Sequence, residues 1–362
     1  MQPELISNRL TGASEDALQE ELYRLRATDG LPVILPTEER VRAMIEVAAY
    51  AGYDADLLLG EIGPNLGAAT VEKIAVNAVM AGCLPEHFPV VLAAISALCD
   101  PRMDVTEMQV TTHQVAPLLL VSGPAVRDLA IASGFGALGY GHRANLAIGR
   151  AVRLCLINLG GVWPGASAMA LLGQPGSIAY CLGEDAEASP FPPLHASLGL
   201  AAEASAVTVA CVGSPISVLV PPSPDGEPMA DRLLDCLAAT IAGIGNNNVS
   251  FPHGTVVVVL NPDHAQALAR EGLDRAGVID ALVRRAGQSA EAISRARTGR
   301  PSPDPDRFVP AIASADNVLV LVAGGSGVYS TVMVPWGGGP HGNAHVTREI
   351  VFNDACEVVI HA

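Results

Sequence analysis

The sequence is nearly free of lysine. Of its 21 lysine and arginine residues, Lys73 is the only lysine, although lysine is normally among the commonest residues. Aromatic residues make up 4% of the 362 residues and charged residues 16%, whereas half of the chain is hydrophobic. The core must therefore be built from aliphatic side chains, and the single side-chain amine calls for an explanation.

Positive charge is scarce overall, because the formal net charge is −16. Nucleic acids and anionic membranes bind clustered lysine and arginine, so we expect neither as a partner. No apolar run approaches the roughly 18 residues of a membrane-spanning helix, and the N-terminus lacks the pattern of a secretory signal. These absences predict a soluble protein in the cytoplasm.

Metal-binding and disulfide motifs are also missing. No CxxC or HExxH spacing occurs, and five of the histidines are scattered without metal-ligand spacing, which predicts no metal site. These five are His87, His113, His142, His195 and His253. Nothing in the sequence predicts a cofactor. The seven cysteines are scattered among aliphatic residues, so we expect them to be reduced and mostly buried. They are Cys83, Cys99, Cys155, Cys181, Cys211, Cys236 and Cys356.

Hydrophobic runs of strand and helix type alternate along the chain. After a polar lead-in over residues 1–30, Thr37 is suited to cap a helix. Further helices are predicted at 70–82, 86–99, 125–133, 143–159 and 229–242, and strands at 117–121 and 255–260, with two more strands around the Gly-rich turn at 323–327. This order predicts an α/β fold with a mixed or mainly parallel sheet.

Two segments of the chain share one pattern. LLLVSGPAVRDLAIASGF and VVVLNPDHAQALAREGL both run from a strand through a Pro turn into a helix that ends at glycine. One interpretation is two related α/β halves, 31–205 and 206–362, with a cleft between them. The other is that any two βα units look alike. Residues 288–310 are polar and Pro-rich, which predicts a surface loop or lid.

The lysine lies in an apolar helix, VEKIAVNAVMAG. Lys73 and Asn77 are four residues apart and share a face of that helix. A buried, unpaired ammonium group loses its proton more readily, as a general base or a Schiff-base nucleophile requires. The alternative is that Lys73 extends to the surface or pairs with an acid in the core.

Arginines are concentrated in the helix predicted from GHRANLAIGRAVRLCLINLGG. Arg143 and Arg150 are seven residues apart on one face, with Arg153 further along, and the helix has no acid of its own. They could bind a substrate anion or pair with carboxylates elsewhere in the chain. His142 and Asn145 flank the helix start, where free N–H groups favour an anion.

Three further residues are candidates for the same site. His113, which precedes a predicted strand, is the histidine best suited to proton transfer. Asn247, in a run of three asparagines, and Ser326, in the turn AGGSG, could present donors to an anion. The turn matches neither GxGxxG nor a P-loop.

Four strings together resemble a known bacterial family of uncharacterised proteins. They are TDGLPVILPTEERV, ATVEKIAVNAVMAGCLPEHFPVVLAAI, GHRANLAIGRAVRLCLINLGG and VAGGSGVYS, and the resemblance runs from about residue 28 onward. In that family this region accompanies a module with a (seleno)cysteine-Gly-Ser-Cys motif. The motif is absent here, so the resemblance implies that any redox chemistry would need a separate thiol or selenol partner.

The sequence predicts an enzyme that acts on a small anionic metabolite by lyase-type or hydrolytic proton transfer. Lys73 would be the base or amine nucleophile and Asn77 would orient it, while His113 would be a second proton-transfer group. Arg143 and Arg150 would bind the anion. The alternatives are a redox or carrier component that works with a thiol or selenol protein, and a purely structural or binding protein. A homo-oligomer is compatible with each.

Overall fold

Polar side chains and glycine set the ends of the helices. In a computed structural model that describes residues 5–352, Thr37 accepts a hydrogen bond from Arg40 N and Thr70 from Lys73 N, as N-caps. Gly82 ends the lysine helix in the left-handed region, at φ 87°. The α-helices in this range are α1 (Glu15–Arg24), α2 (Glu38–Tyr50), α3 (Val71–Ala81), α4 (Phe88–Leu98), α5 (Val105–Val110), α6 (Ala125–Asp128), α7 (Arg143–Asn158), α8 (Leu194–Ser197), α9 (Ala230–Ile241), α10 (Pro262–Arg270), α11 (Arg275–Arg285) and α12 (Ala290–Thr298).

The strands are short and aliphatic. They are β1 (Leu58–Ile62), β2 (Gly67–Thr70), β3 (Ala116–Ser122), β4 (Cys181–Gly183), β5 (Ala206–Val212), β6 (Ile216–Leu219), β7 (Val256–Leu260), β8 (Gly287–Ser289), β9 (Phe308–Pro310), β10 (Val318–Val322), β11 (Tyr329–Met333) and β12 (Val346–Glu349). β1 pairs with β2 and β8 with β9 in small hairpin-like sheets, and the other eight strands form two four-stranded sheets.

The two four-stranded sheets have the same design. The first has the order β12-β5-β3-β4 and the second β6-β11-β7-β10. In each, one pair is parallel and two are antiparallel. The parallel pairs also have the same sequence separation, because Val121 is paired with Gly183 and Leu260 with Val322, the same number of residues later in the chain.

Each sheet has one outer strand that directly follows, along the chain, a strand of the other sheet. β6 follows β5 in sequence but pairs with β11, and β12 follows β11 but pairs with β5. An isolated antiparallel bridge between Val212 and Pro335 joins the last residue of β5 to the chain just beyond β11. The two sheets are therefore tied together by exchanged strands.

The sheets pack face to face between two helical layers. Leu118, Leu120 and Ala210 of the first sheet share one buried cluster with Val257, Val259 and Leu321 of the second. The opposite face of the first sheet packs against α2, α3, α4 and α7, and that of the second sheet against α9, α10 and α11. The order of layers is helix, sheet, sheet, helix.

This architecture confirms the α/β class and corrects several details. The sheets are mixed, and a mainly parallel sheet is not observed. A division at residues 205/206 does not separate the sheets, because β5 (Ala206–Val212) lies in the first sheet and β6 in the second. Residues 288–310 are not a plain loop, since they contain α12 and β9. The helix predicted over 125–133 ends at Asp128, and Ala130 has φ 52°.

Candidate functional site

A cleft with a volume of about 750 Å³ lies beside α7. The end of α5, the segment that leads into β3, the second half of α7 and the loop over residues 162–178 form its walls. A volume of this size is typical of a small-molecule site. The polar side chains of greatest interest in it are Arg153, Gln109 and His113.

Arg153 brings a cation to this cleft without a carboxylate partner. Its Nη1 donates to Gln109 Oε1 at 3.3 Å and its Nε donates to the carbonyl of Ser177. Within residues 5–352 it forms no ion pair, and Nη2 has no hydrogen-bond acceptor. Burial lowers the pKa of Arg153 to about 10, which still leaves the guanidinium charged at neutral pH.

Gln109 and His113 each have a buried polar atom without a partner. Gln109 is 6% exposed, and its Nε2 has no hydrogen-bond acceptor. His113 Nδ1 is also buried and unpartnered, and burial lowers the pKa of this imidazole below its usual value. A buried polar group without a partner costs about 1–3 kcal/mol. Two of them in one cleft indicate a place for a polar ligand.

The rest of the cleft wall is mostly apolar. Met108, Val115, Ile157 and Val162 line it, together with the indole ring of Trp163. Arg26 lies over that ring at 5.3 Å from its centroid and helps to position it.

Lys73 faces a second cleft, of about 690 Å³. Residues 27–36 run between the two clefts, since Asp29 and Gly30 line the first and Ala27 and Leu35 the second. Lys73 is half-buried, and within residues 5–352 its amine has neither an ion-pair nor a hydrogen-bond partner. The carboxylate of its neighbour Glu72 accepts the backbone N–H groups of Ile6 and Ser7.

Asn77 lies in the same cleft but its amide bonds elsewhere. Its Nδ2 donates to the carbonyl of Lys73 at 2.8 Å, one helical turn back, and its Oδ1 accepts from Asn158 at 2.7 Å. Asn77 thus ties α3 to α7, and it makes no hydrogen bond to the Lys73 amine.

The two arginines predicted to bind the anion have other surroundings. Arg150 forms a two-pronged ion pair with Asp29, at 2.8 Å for both bonds, and donates to the carbonyl of Pro32. The Asp29 side chain is only 3% exposed. Arg143 is exposed and donates to the carbonyl of Gly82 at 3.3 Å. The structure therefore places a carboxylate of the chain itself on Arg150.

The remaining candidates are dispersed. Asn145 is buried and holds a loop, since its Oδ1 accepts from Ala132 N and its Nδ2 donates to nearby carbonyls, including that of Cys181. Asn247 donates to the carbonyl of Trp336 at 2.7 Å. His142 is half-buried at the start of α7 without making a capping bond, and Ser326 is exposed.

Of the predicted residues, the structure places Lys73 with Asn77 in one cleft and His113 in the other. The sequence interpretation missed Gln109, and it chose Arg143 and Arg150 over Arg153 as the residues that bind the anion. A signal for Arg153 existed, because it lies three residues after Arg150 in a helix without acidic residues. The carboxylate of Asp29 pairs with Arg150, which leaves Arg153 without a carboxylate partner. No pattern pointed to Gln109, which reaches the cleft through the fold of α5.

Five of the described cysteines have thiols whose ionisation is opposed by burial. Burial raises the pKa of Cys99 to about 11 and of Cys181 and Cys211 to about 12, and it also raises the pKa of Cys83 and Cys155. Among the described residues the six cysteines are free, and Cys236 is exposed. Cys356 lies outside the described residues.

Residues 5–352 contain neither a cluster of metal ligands nor a membrane-spanning helix. No group of three or more His, Cys, Asp or Glu side chains is arranged to hold a metal ion. No helix in this range is long and apolar enough to cross a membrane.

Comparison with known proteins identified no relatives. No family model matches the chain, and neither the curated proteins nor the solved structures include a significant match. The resemblance to the family associated with the (seleno)cysteine-Gly-Ser-Cys motif stays a prediction.

Proposed function

We propose that the protein is an enzyme that binds a small anionic metabolite in the cleft of Arg153 and acts on it by proton transfer through His113. One observation carries this proposal: the residues that line this cleft include a cation without a carboxylate partner and two side chains that each have a buried, unpartnered polar atom. Lyase-type and hydrolytic reactions both use this combination of an anion anchor and a base.

The chemistry follows from the charge states. Arg153 keeps its proton and would bind the anionic end of the substrate by charge-assisted hydrogen bonds. Because burial lowers the pKa of His113, its imidazole is neutral at pH 7 and can accept a proton from the substrate or from water. Gln109, held by Arg153, would donate to the same anionic group through Nε2.

The test separates binding from proton transfer. A panel of organic anions is screened by thermal shift and the binders are incubated in D₂O, where NMR follows turnover or exchange of carbon-bound hydrogen. We expect Arg153→Gln to weaken binding by at least about tenfold, since hydrogen bonds to charged groups contribute about 1.5–3 kcal/mol. His113→Gln should keep binding but lose exchange. Equal turnover by His113→Gln would contradict the proposal.

A second candidate function rests on Lys73. The observation that favours it is the amine of the chain's sole lysine, which faces a separate cleft with no described partner. There it would act as a base or form an imine with a carbonyl substrate. Lys73→Arg is the decisive variant, because a guanidinium group cannot serve as a base. Full activity of Lys73→Arg would remove this candidate and leave the first intact.

A further inference from the structure

We infer that the ligand of the Arg153 cleft is a monoanionic carboxylate with an extended apolar body. This inference rests on the proposed function and specifies its substrate class. It follows from the charge of the cleft, the geometry of its donors and the nature of its walls.

The cleft has one positive charge, that of Arg153, which a ligand with a single negative charge would balance. Among its described lining residues, Arg153 is the only cationic side chain, and the carboxylate of Asp29 is neutralised by Arg150. His113 adds no charge at neutral pH, because burial lowers its pKa. A dianion such as a phosphate monoester would leave a net negative charge in this partly desolvated place, which is costly.

The free donors suit a planar group. Nε and Nη1 of Arg153 are engaged by Ser177 and Gln109, so Nη2 is the nitrogen left for the ligand. Gln109 Nε2 is the second free donor, on a side chain that bonds directly to the guanidinium. Two N–H donors on adjacent groups match the two oxygens of a carboxylate.

The walls require an apolar body. The cleft of about 750 Å³ is much larger than a carboxylate group, and Met108, Ile157, Val162 and Trp163 line it. Leu172 also lines it, yet it is 88% exposed. An alkyl or aryl chain that extends from Arg153 would cover this surface, with a gain of up to ~0.8 kcal/mol per buried methylene.

The experiment is isothermal titration calorimetry of the full chain with acetate, butanoate, hexanoate and octanoate, each below its critical micelle concentration. Octanol and octyl phosphate are the comparison ligands. We expect the dissociation constant to fall by about two- to fourfold per added methylene. Octanoate should bind more tightly than both octanol and octyl phosphate. Arg153→Gln should weaken octanoate binding at least about tenfold and leave octanol unchanged.

The control is Arg143→Gln, an exposed arginine on the same helix, which should bind like the unmodified protein. Acetate binding as tight as octanoate binding, with dependence on Arg153, would overturn this inference and leave the proposed anion site standing. Tighter binding of octyl phosphate than of octanoate would contradict the preference for a ligand with a single negative charge. Octanoate binding that is indifferent to Arg153→Gln would overturn the inference and the proposed function together.

Discussion

At the scale of single residues, α7 shows how neighbouring arginines take different roles. Arg150 and Arg153 are three positions apart, yet the first is paired with Asp29 and the second opens into the cleft. The sequence predicted that this acid-free helix needs partners for its guanidinium groups. It could not predict which arginine would receive the internal acid, because Asp29 lies more than a hundred residues away in the chain.

A buried histidine gives a prediction about pH. Burial lowers the pKa of His345 to about 4, helped by the positive charge of Arg102 and opposed by Asp316, while its Nδ1 lies 3.1 Å from Thr255 Oγ1. The unfolded chain binds a proton near pH 6.5 and the folded chain only near pH 4, so stability is lost as pH falls between these values. We expect protonation of His345 to lower the free energy of unfolding by up to about 3 kcal/mol over this pH range.

Urea unfolding at a series of pH values between 7.5 and 4 measures this loss. His345→Gln cannot bind the proton, so its free energy of unfolding should fall less over that range than that of the unmodified protein. Some dependence will remain, because burial also lowers the pKa of His87 and His264. Identical pH profiles for the two proteins would show that His345 does not stay neutral in the folded state.

At the scale of elements, local signals predicted most of the longer helices but only four of the twelve strands in residues 5–352. The helix expected at 70–82 is observed as Val71–Ala81, and the strand expected at 255–260 as Val256–Leu260. Caps and apolar periodicity act within a few residues, so sequence alone reveals them. Two predicted segments differ, because α6 ends early and α12 lies in a stretch predicted as a surface loop. Most of the strands that were not predicted are short, and several pair with partners distant in sequence, as β5 does with β12.

Gly149 gives a prediction about helix packing. It lies inside α7, where alanine normally stabilises a helix by roughly 0.5–1 kcal/mol. A Cβ atom there would come within 2.5 Å of the backbone nitrogen of Tyr180, and backbone cannot move aside cheaply. We therefore expect Gly149→Ala to destabilise the protein by about 1–3 kcal/mol in chemical denaturation.

The matched control is Gly277→Ala in α11. Its added Cβ would meet only the ends of the Leu273 and Asp274 side chains, at 3.2 and 3.3 Å. This variant should be neutral or stabilised by up to about 1 kcal/mol. A stabilising Gly149→Ala would show that α7 does not pack so closely against the segment before β4.

At the scale of the whole molecule, the exchange of β6 and β12 joins the two sheets. The sequence left open whether the chain has two related halves, and the two sheets have the same arrangement of strands and the same sequence separation in their parallel pairs. The exchange itself was not predictable, because pairing of β12 with β5 depends on contacts across more than a hundred residues. Separation of Lys73 and His113 into two clefts is a long-range result of the same kind.

The exchanged strands predict that the two sheets unfold together. Val346, in β12, is 1% exposed in the first sheet. We expect Val346→Ala to lower the free energy of unfolding by about 1–3 kcal/mol. It should also speed hydrogen exchange of the backbone amides equally in β3 of the first sheet and in β7 of the second. Val110→Ala, at a position 37% exposed, is the matched control and should change little. Faster exchange confined to the first sheet would show that the sheets unfold independently.

The most direct test of the central claim is a crystal structure of the protein with octanoate bound. We predict that the carboxylate lies within hydrogen-bond distance of Arg153 Nη2 and Gln109 Nε2, with the alkyl chain along Trp163 and near His113. A carboxylate bound at Lys73, or an Arg153 cleft that stays empty at saturating octanoate, would contradict the account.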